Sequence, residues 1–401
     1  WDLPGCIIGR VTRGGVARIR DGRRRVAEAP VSILTDPPMY RLTARKPRAL
    51  ARLQRADLSR VPLPREKPGA ILRQLLAAPN IASKERVYQQ YDHMVLDNTV
   101  VAPGAGDAAV LRIKGTRTAI ALSIDGNGRL CYLEPQAGGA VAVAEAARNV
   151  VCVGAEPIAI TDCLNFGDPE RPEVAYQLVQ CTRGMARACR ALGIPVISGN
   201  VSLYNETQGQ PVHPTPVVGM LGLLDDAERR CTLDFKDEGD AIYLLGELSA
   251  DPADLAGSEY LERVHGLVLG CPAISLEMER AVQRACLEGI RQGIVRSAHD
   301  CSEGGLAVAI AESAIAGGRG AAIEVSADGR WDALLFGERQ SRILVSLAPR
   351  HVPRLKALAR RHGAPLHRLG VVRGQRLSWP AVGGLDEALS GLEDAWRHGL
   401  E

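Results

Sequence analysis

The 401-residue chain has no apolar run of the roughly 18 residues that a membrane-spanning helix requires, so no membrane role is expected. Its opening residues form no charged-then-apolar leader of the secretory kind. Aromatic residues make up only 4%, and no basic stripe is interleaved with them, which argues against a nucleic-acid partner. The ten cysteines show no C-x-x-C pair and no zinc-like spacing, so the chain reads as reduced and cytoplasmic rather than disulfide-framed. There is no G-x-x-x-x-G-K-S/T phosphate loop and no dinucleotide fingerprint after a first strand. No Ser-His-Asp or Cys-His arrangement can be picked out. Nothing marks Cys163 or Cys301 as a nucleophile, and His93 and His299 read as structural.

What remains is an ordinary globular composition, 46% apolar and 24% charged, in a chain long enough for two or three domains. The net charge is +3, with arginines interleaved among acids. The one basic cluster, Arg18, Arg20, Arg23, Arg24 and Arg25, lies in a strand-turn-strand pattern and reads as a solvated face. The chain opens at Trp1 rather than Met, which points to an incomplete protein.

Residues 7–34 read as three short strands, at Ile7–Val11, Val16–Arg20 and Val26–Ile33, too few for an independent domain. The stretch His367–Leu377 repeats the sense of Cys6–Val16: an apolar residue, a Gly and a Val, then a Gly turn and another strand. Two unrelated hairpins would look alike; the sharper reading is an internal repeat. On it, residues 1–35 are the tail of a preceding domain whose complete copy ends near 401, and an upstream half is missing. Residues 36–90, rich in Pro and Arg, read as a connecting segment that packs across a neighbour, with helical pieces at 49–56 and 70–78. From 91 to 226 strands and helices alternate, including a helix at Gly139–Val153 and a long one at Glu173–Leu192 closed by Gly193. From 227 to 401 the alternation resumes. The expected fold class is therefore mixed, α+β and α/β, in two blocks.

Polar residues gather at the ends of apolar runs, where ligands bind in such folds. Asp107 follows Pro103-Gly104-Ala105-Gly106, and Glu145 and Asn149 share a helix face at i and i+4. Together they suit a hard cation such as Mg²⁺, but from spacing alone the plainer reading is a loop acid and a solvated helix face. Thr161-Asp162 ends one strand, and Ser198-Gly199-Asn200 ends another, where the Gly also suits a plain turn. His299-Asp300-Cys301-Ser302-Glu303-Gly304-Gly305 is a strand end, a polar loop and a helix start. It offers either phosphate-binding N–H groups or only an N-cap. The loop 336–342 reads as a substrate loop or a solvated turn.

Taken together, Tyr91-Asp92-His93-Met94-Val95, Pro103-Gly104-Ala105-Gly106-Asp107-Ala108-Ala109-Val110, Thr161-Asp162-Cys163-Leu164-Asn165-Phe166-Gly167, Ser198-Gly199-Asn200-Val201-Ser202-Leu203-Tyr204-Asn205-Glu206-Thr207 and His299-Asp300-Cys301-Ser302-Glu303-Gly304-Gly305-Leu306 resemble the second half of the phosphoribosylformylglycinamidine synthases. Trp1-Asp2-Leu3-Pro4 extends the resemblance to the chain's start. The family sits in the aminoimidazole ribonucleotide synthetase-like superfamily. The resemblance implies an N-type, barrel-forming nucleotide and Mg²⁺ domain at 91–226 and a C-terminal α+β domain at 227–401. It further implies that formylglycinamide ribonucleotide, ATP and ammonia yield the amidine through an iminophosphate. The ammonia would come from a glutaminase subunit or domain. The protein would chiefly orient its reactants and stabilise charge with Mg²⁺. By motif, Asp162 and Gly199 would contact the nucleotide, Asn200 would help hold Mg²⁺, and Ser202 would touch substrate. Asp107, Glu145, Asn149 and Asp300 would form an auxiliary nucleotide-Mg²⁺ site with Ser302 on its nucleotide. No catalytic residue is expected here, because the family's catalytic histidines lie in the first half. Arg339 stands where the family pattern has a small residue.

Overall fold

The computed structural model describes residues 2–36, 39, 41–326 and 328–401. Trp1, part of the opening phrase above, lies outside them. The chain divides into two compact units, one ending at Leu42 and the other spanning Thr43–Glu401.

In the first unit β1 (Val16–Asp21) and β2 (Arg24–Pro30) form an antiparallel hairpin, followed by α1 (Val31–Thr35). The arginine cluster lies on this hairpin, with Arg18 and Arg25 both reaching Glu28. Two expectations are corrected. The third strand stops at Pro30 and gives way to helix, and Ile7–Val11 forms no strand, leaving Ile7 92% exposed. A strand exists only where its backbone N–H and C=O groups find a ladder, and this segment has none among the described residues.

In the second unit α2 (Arg48–Gln54), α3 (Pro68–Leu76) and α4 (Glu85–Tyr88) come first. Leu58, Ile71, Leu72, Leu75 and Leu76 belong to the same core as the C-terminal block, so this stretch is part of that core's wall.

The first sheet is built from β3 (Thr99–Val101), β4 (Ala109–Arg112), β5 (Ala119–Asp125), β6 (Glu156–Asn165) and β7 (Val196–Ser202). After the small hairpin β8 (Glu206–Thr207) and β9 (Gln210–Pro211), β10 (Thr215–Leu224) enters it, giving the order β3-β4-β5-β10-β6-β7. Only β6 and β7 run parallel. Helices α5 (Gly128–Leu133), α6 (Pro135–Cys152) and α7 (Pro172–Leu192) belong to this block, and Gly193 (φ 76°) closes α7 as expected. The helix expected from Gly139 begins earlier, at Pro135, so Gly138 and Gly139 lie inside α6. There a Cβ on Gly139 would fall 2.2 Å from the Cys181 carbonyl of α7, so the glycines serve close helix packing.

Period-2 burial fixes the sheet's two faces. Ser123 and Asp125 on β5, Ile160 and Asp162 on β6, and Val218 and Met220 on β10 share the helix-covered face. Leu122 and Ile124 lie on the other, where they are 42% and 78% exposed.

The second sheet contains β11 (Ala241–Leu245), β12 (Ser297–Asp300), β13 (Ala321–Ile323), β14 (Ile343–Leu347), β15 (Leu366–Val372), β16 (Arg376–Trp379) and β17 (Leu385–Ala388), ordered β12-β14-β11-β15-β13-β16-β17. It is covered on both faces. Ile242 and Leu244 pack with α8 (Glu259–His265), α10 (Gly305–Gly317), α11 (Trp331–Phe336) and α13 (Leu389–His398). Ala241, Tyr243 and Leu245 pack with α9 (Leu276–Arg291) and α12 (Val352–His362). Burial on both sides explains why β11 is apolar throughout. Helix α6 joins the blocks: Val143 and Ala147 lie in the first core, Val151 and Cys152 in the second.

The order hairpin then helix, β1-β2-α1, recurs as β16-β17-α13. The stretch matching Cys6–Val11 is β15, which lies between β11 and β13 and so has the ladder partners that Ile7–Val11 lacks.

Candidate functional site

The parallel pairing of β6 with β7 sets Thr161 beside Ser198, Asp162 beside Gly199, Cys163 beside Asn200 and Asn165 beside Ser202. Four residues singled out from the sequence, Asp162, Gly199, Asn200 and Ser202, thus meet at the edge of one sheet. A Cβ on Gly199 would lie 2.8 Å from Asp162 Oδ1, so the glycine leaves room for that carboxylate. The register also divides the four. Asp162 and Gly199 share the helix-covered face, whereas Asn200 and Ser202 join Thr161, Cys163, Asn165 and Ser198 in a polar strip on the open face. Thr161 Oγ1 lies 2.9 Å from Ser198 Oγ, Asn200 Nδ2 donates to Cys163 Sγ at 3.5 Å, and Ser202 Oγ donates to Asn205 Oδ1 at 3.3 Å. The Asn200 amide oxygen has no partner among the described residues, and it is a donor atom that suits Mg²⁺. The Asp162 carboxylate makes no hydrogen bond or ion pair among the described residues, and partial burial raises its carboxyl above the ordinary value.

The second set, Asp107, Glu145, Asn149 and Asp300, gathers where α6 meets β12. Asp107 accepts from His299 Nδ1 and from the Asp300 backbone N–H, both at 2.7 Å. His299 Nε2 lies 3.1 Å from Glu312, so this histidine is tied on both sides, in line with a structural role. The Asp300 carboxylate is held by Arg148, with Nε to Oδ1 at 2.6 Å and Nη2 to Oδ2 at 3.5 Å. The same guanidinium donates to Glu279 at 2.8 Å and to Gln340 at 3.0 Å, and lies 3.7 Å from Glu145. Asn149 donates to Asp125 Oδ1 at 2.9 Å, and the buried Asp125 Oδ2 has no partner among the described residues. Burial, with Glu303, Asp300 and Asp125 nearby, raises the Glu145 carboxyl well above its usual range. Burial likewise lifts Asp125 to about 7, and Asp300 to about 6 against the pull of Arg148.

As an Mg²⁺ site these four residues do not fit as a set. Both Asp107 oxygens and both Asp300 oxygens are engaged by protein donors, and among the described residues no three His, Cys, Asp or Glu side chains are placed to hold a metal ion. The Ser302 hydroxyl makes no hydrogen bond among the described residues.

Sequence reasoning passed over Arg148, Glu279, Asp125 and Glu303. One signal was present: Arg148 follows Glu145 by three residues on a helix otherwise almost wholly apolar. The solvated-turn reading of 336–342 is corrected, because Glu338, Gln340, Ser341 and Arg342 are all buried. Arg339 alone reaches outward, to Asp254 at 3.1 Å and Glu247 at 3.7 Å, on the wall of a cavity of 520 Å³. All ten cysteines are free, and among the described residues no helix is long and apolar enough to cross a membrane.

The chain matches two family descriptions: "AIR synthase related protein, N-terminal domain" at residues 105–224 and "AIR synthase related protein, C-terminal domain" at 237–378. It is 55% identical over 379 residues to phosphoribosylformylglycinamidine synthase subunit PurL of Moorella thermoacetica, covering 94% of this chain and 51% of that one. The chain thus spans about half the length of the curated relatives it matches. Among solved structures it is similar to Thermotoga maritima PurL complexed with FGAR, at 25% identity and a TM-score of 0.55, covering 90% of this chain and 48% of that one. The same protein complexed with AMPPCP gives 25% identity and a TM-score of 0.56, covering 90% and 50%.

Proposed function

We propose, because the chain belongs to the AIR synthase related family in its phosphoribosylformylglycinamidine synthase PurL branch, that it supplies the second half of an ATP-dependent synthetase of purine biosynthesis. In the reaction ATP phosphorylates the amide oxygen of formylglycinamide ribonucleotide, and ammonia derived from glutamine displaces it as phosphate, giving the amidine, ADP and phosphate. One observation carries this reading: the polar strip of Thr161, Cys163, Asn165, Ser198, Asn200 and Ser202 on an open sheet face that, beyond β10, also carries exposed Leu122 and Ile124. The apolar part of that face suits a second N-type domain, and the polar part suits nucleotide and substrate. The PurL complexes with FGAR and AMPPCP support those ligands.

In this account Asn200 offers its amide oxygen to Mg²⁺, Ser202 its hydroxyl to substrate, and Asp162 and Gly199 border the nucleotide from the sheet's edge. Mg²⁺, when bound, would offset phosphate charge. This chain's own residues position and desolvate; proton transfer falls to the first half. A glutaminase subunit and a cytoplasmic setting complete the proposal.

The assembly part is tested by light scattering of the chain mixed with a first-half PurL polypeptide. Wild type is expected to form a single complex. Ile124→Glu, at an exposed position, should remain folded by circular dichroism yet fail to assemble. Undiminished assembly of Ile124→Glu, or no assembly by wild type, would count against the reading.

A further inference from the structure

We infer that the Arg148 guanidinium takes the place of a divalent cation among Glu145, Glu279 and Asp300, so that this centre ties the two blocks together without a metal. Arg148 is fully buried on α6, and its donors run to Asp300 of β12, Glu279 of α9 and Gln340. Glu279 is itself fully buried and accepts from Ser341 Oγ at 2.7 Å and Gln283 Nε2 at 2.8 Å. Asp300 and Glu279 thereby have hydrogen-bonding partners in the protein, and Glu145 lies 3.7 Å from the guanidinium. A guanidinium is a planar fork that spreads its charge over several oxygens at hydrogen-bond distance. Mg²⁺ instead draws oxygens to about 2.1 Å in near-octahedral order. The Asp300 oxygens already face the Arg148 guanidinium, and the Asp107 oxygens face His299 and the Asp300 backbone N–H, so a cation drawn to them would have to share them with a fixed positive charge.

The inference departs from the auxiliary Mg²⁺ site that the family resemblance implies, and it is independent of the function proposed above. Its test therefore uses metal binding and thermal unfolding, not turnover. The whole chain is titrated with Mn²⁺, read by electron paramagnetic resonance, as wild type and as Glu145→Gln. Its unfolding midpoint is also measured in EDTA and in excess Mg²⁺.

Wild type and Glu145→Gln should bind Mn²⁺ equally, and the wild-type midpoint should move by less than about 1 °C. Arg148→Met should gain about one Mn²⁺ per chain and a midpoint several degrees higher in Mg²⁺, both lost when Glu145→Gln is added. Should Arg148→Met fail to fold, the wild-type arm decides alone. One Mn²⁺ per chain in wild type that disappears in Glu145→Gln overturns the inference; equal binding sustains it.

Discussion

Replacing Glu338 by Gln removes a buried ionisable group while keeping its shape. Glu338 is 7% exposed, and its Oε1 accepts from the backbone N–H groups of Glu259 and Gly304, each at 2.8 Å. A glutamine amide oxygen can accept both. Burial pushes the Glu338 carboxyl up to about 8 from an ordinary 4.5; Glu303 adds to the rise and Arg129 opposes it. Because the folded value lies above the unfolded one, the stabilising contribution is fully present below pH 4.5 and is lost as pH rises to about 8. Across that window the unfolded chain ionises and the folded chain does not, which lowers wild-type stability by up to about 1.4 kcal/mol per pH unit. The whole window allows about 5 kcal/mol, and the screening typical of real interiors reduces the expectation to about 2–3 kcal/mol. Glutamine does not titrate. The stability of Glu338→Gln relative to wild type should therefore climb by that amount between pH 5 and pH 8 in urea unfolding followed by circular dichroism. A difference that stays flat, or shrinks as pH rises, would mean that Glu338 is ionised in the folded chain, and the reasoning would fail.

Two further substitutions probe packing and charge. Gly184→Ala would set a Cβ 2.0 Å from the Gln136 carbonyl where α7 crosses α6, and should destabilise by about 2–3 kcal/mol in urea despite alanine's better helix propensity. Arg129→Met removes the guanidinium that pairs with Glu259 at 2.5 Å and Glu262 at 2.6 Å. Glu259 keeps Arg263 and Asn80, so the loss should be about 2 kcal/mol, read from the same unfolding curves.

The regular elements were legible where hydrophobic period and punctuation agreed, as in α7 with its closing Gly193 or the alternating β10. Tertiary partners decided the rest. Ile7–Val11 has a strand's composition but no ladder among the described residues, while the similar sequence of β15 is a strand because it has neighbours on both sides. The motifs that pointed to Asp162, Gly199, Asn200 and Ser202 did bring adjacent strands together. Motif spacing carries no register, however, so it did not reveal that Asp162 and Asn200 lie on opposite faces. The second cluster was legible as a gathering of acids but not as a neutralised one. Its counter-charge, Arg148, reads in sequence as an ordinary helix arginine until the fold surrounds it with Asp300 and Glu279.

The proposed function requires this chain to contribute residues to a site completed by another polypeptide. The most direct test is ADP release from Mg²⁺-ATP with formylglycinamide ribonucleotide and ammonium, measured on this chain alone and again with a first-half PurL polypeptide. Turnover is expected only in the mixture and should be lost with Asp162→Ala or Asn200→Ala. Turnover by the chain alone, or a mixture indifferent to both substitutions, would contradict the proposed function.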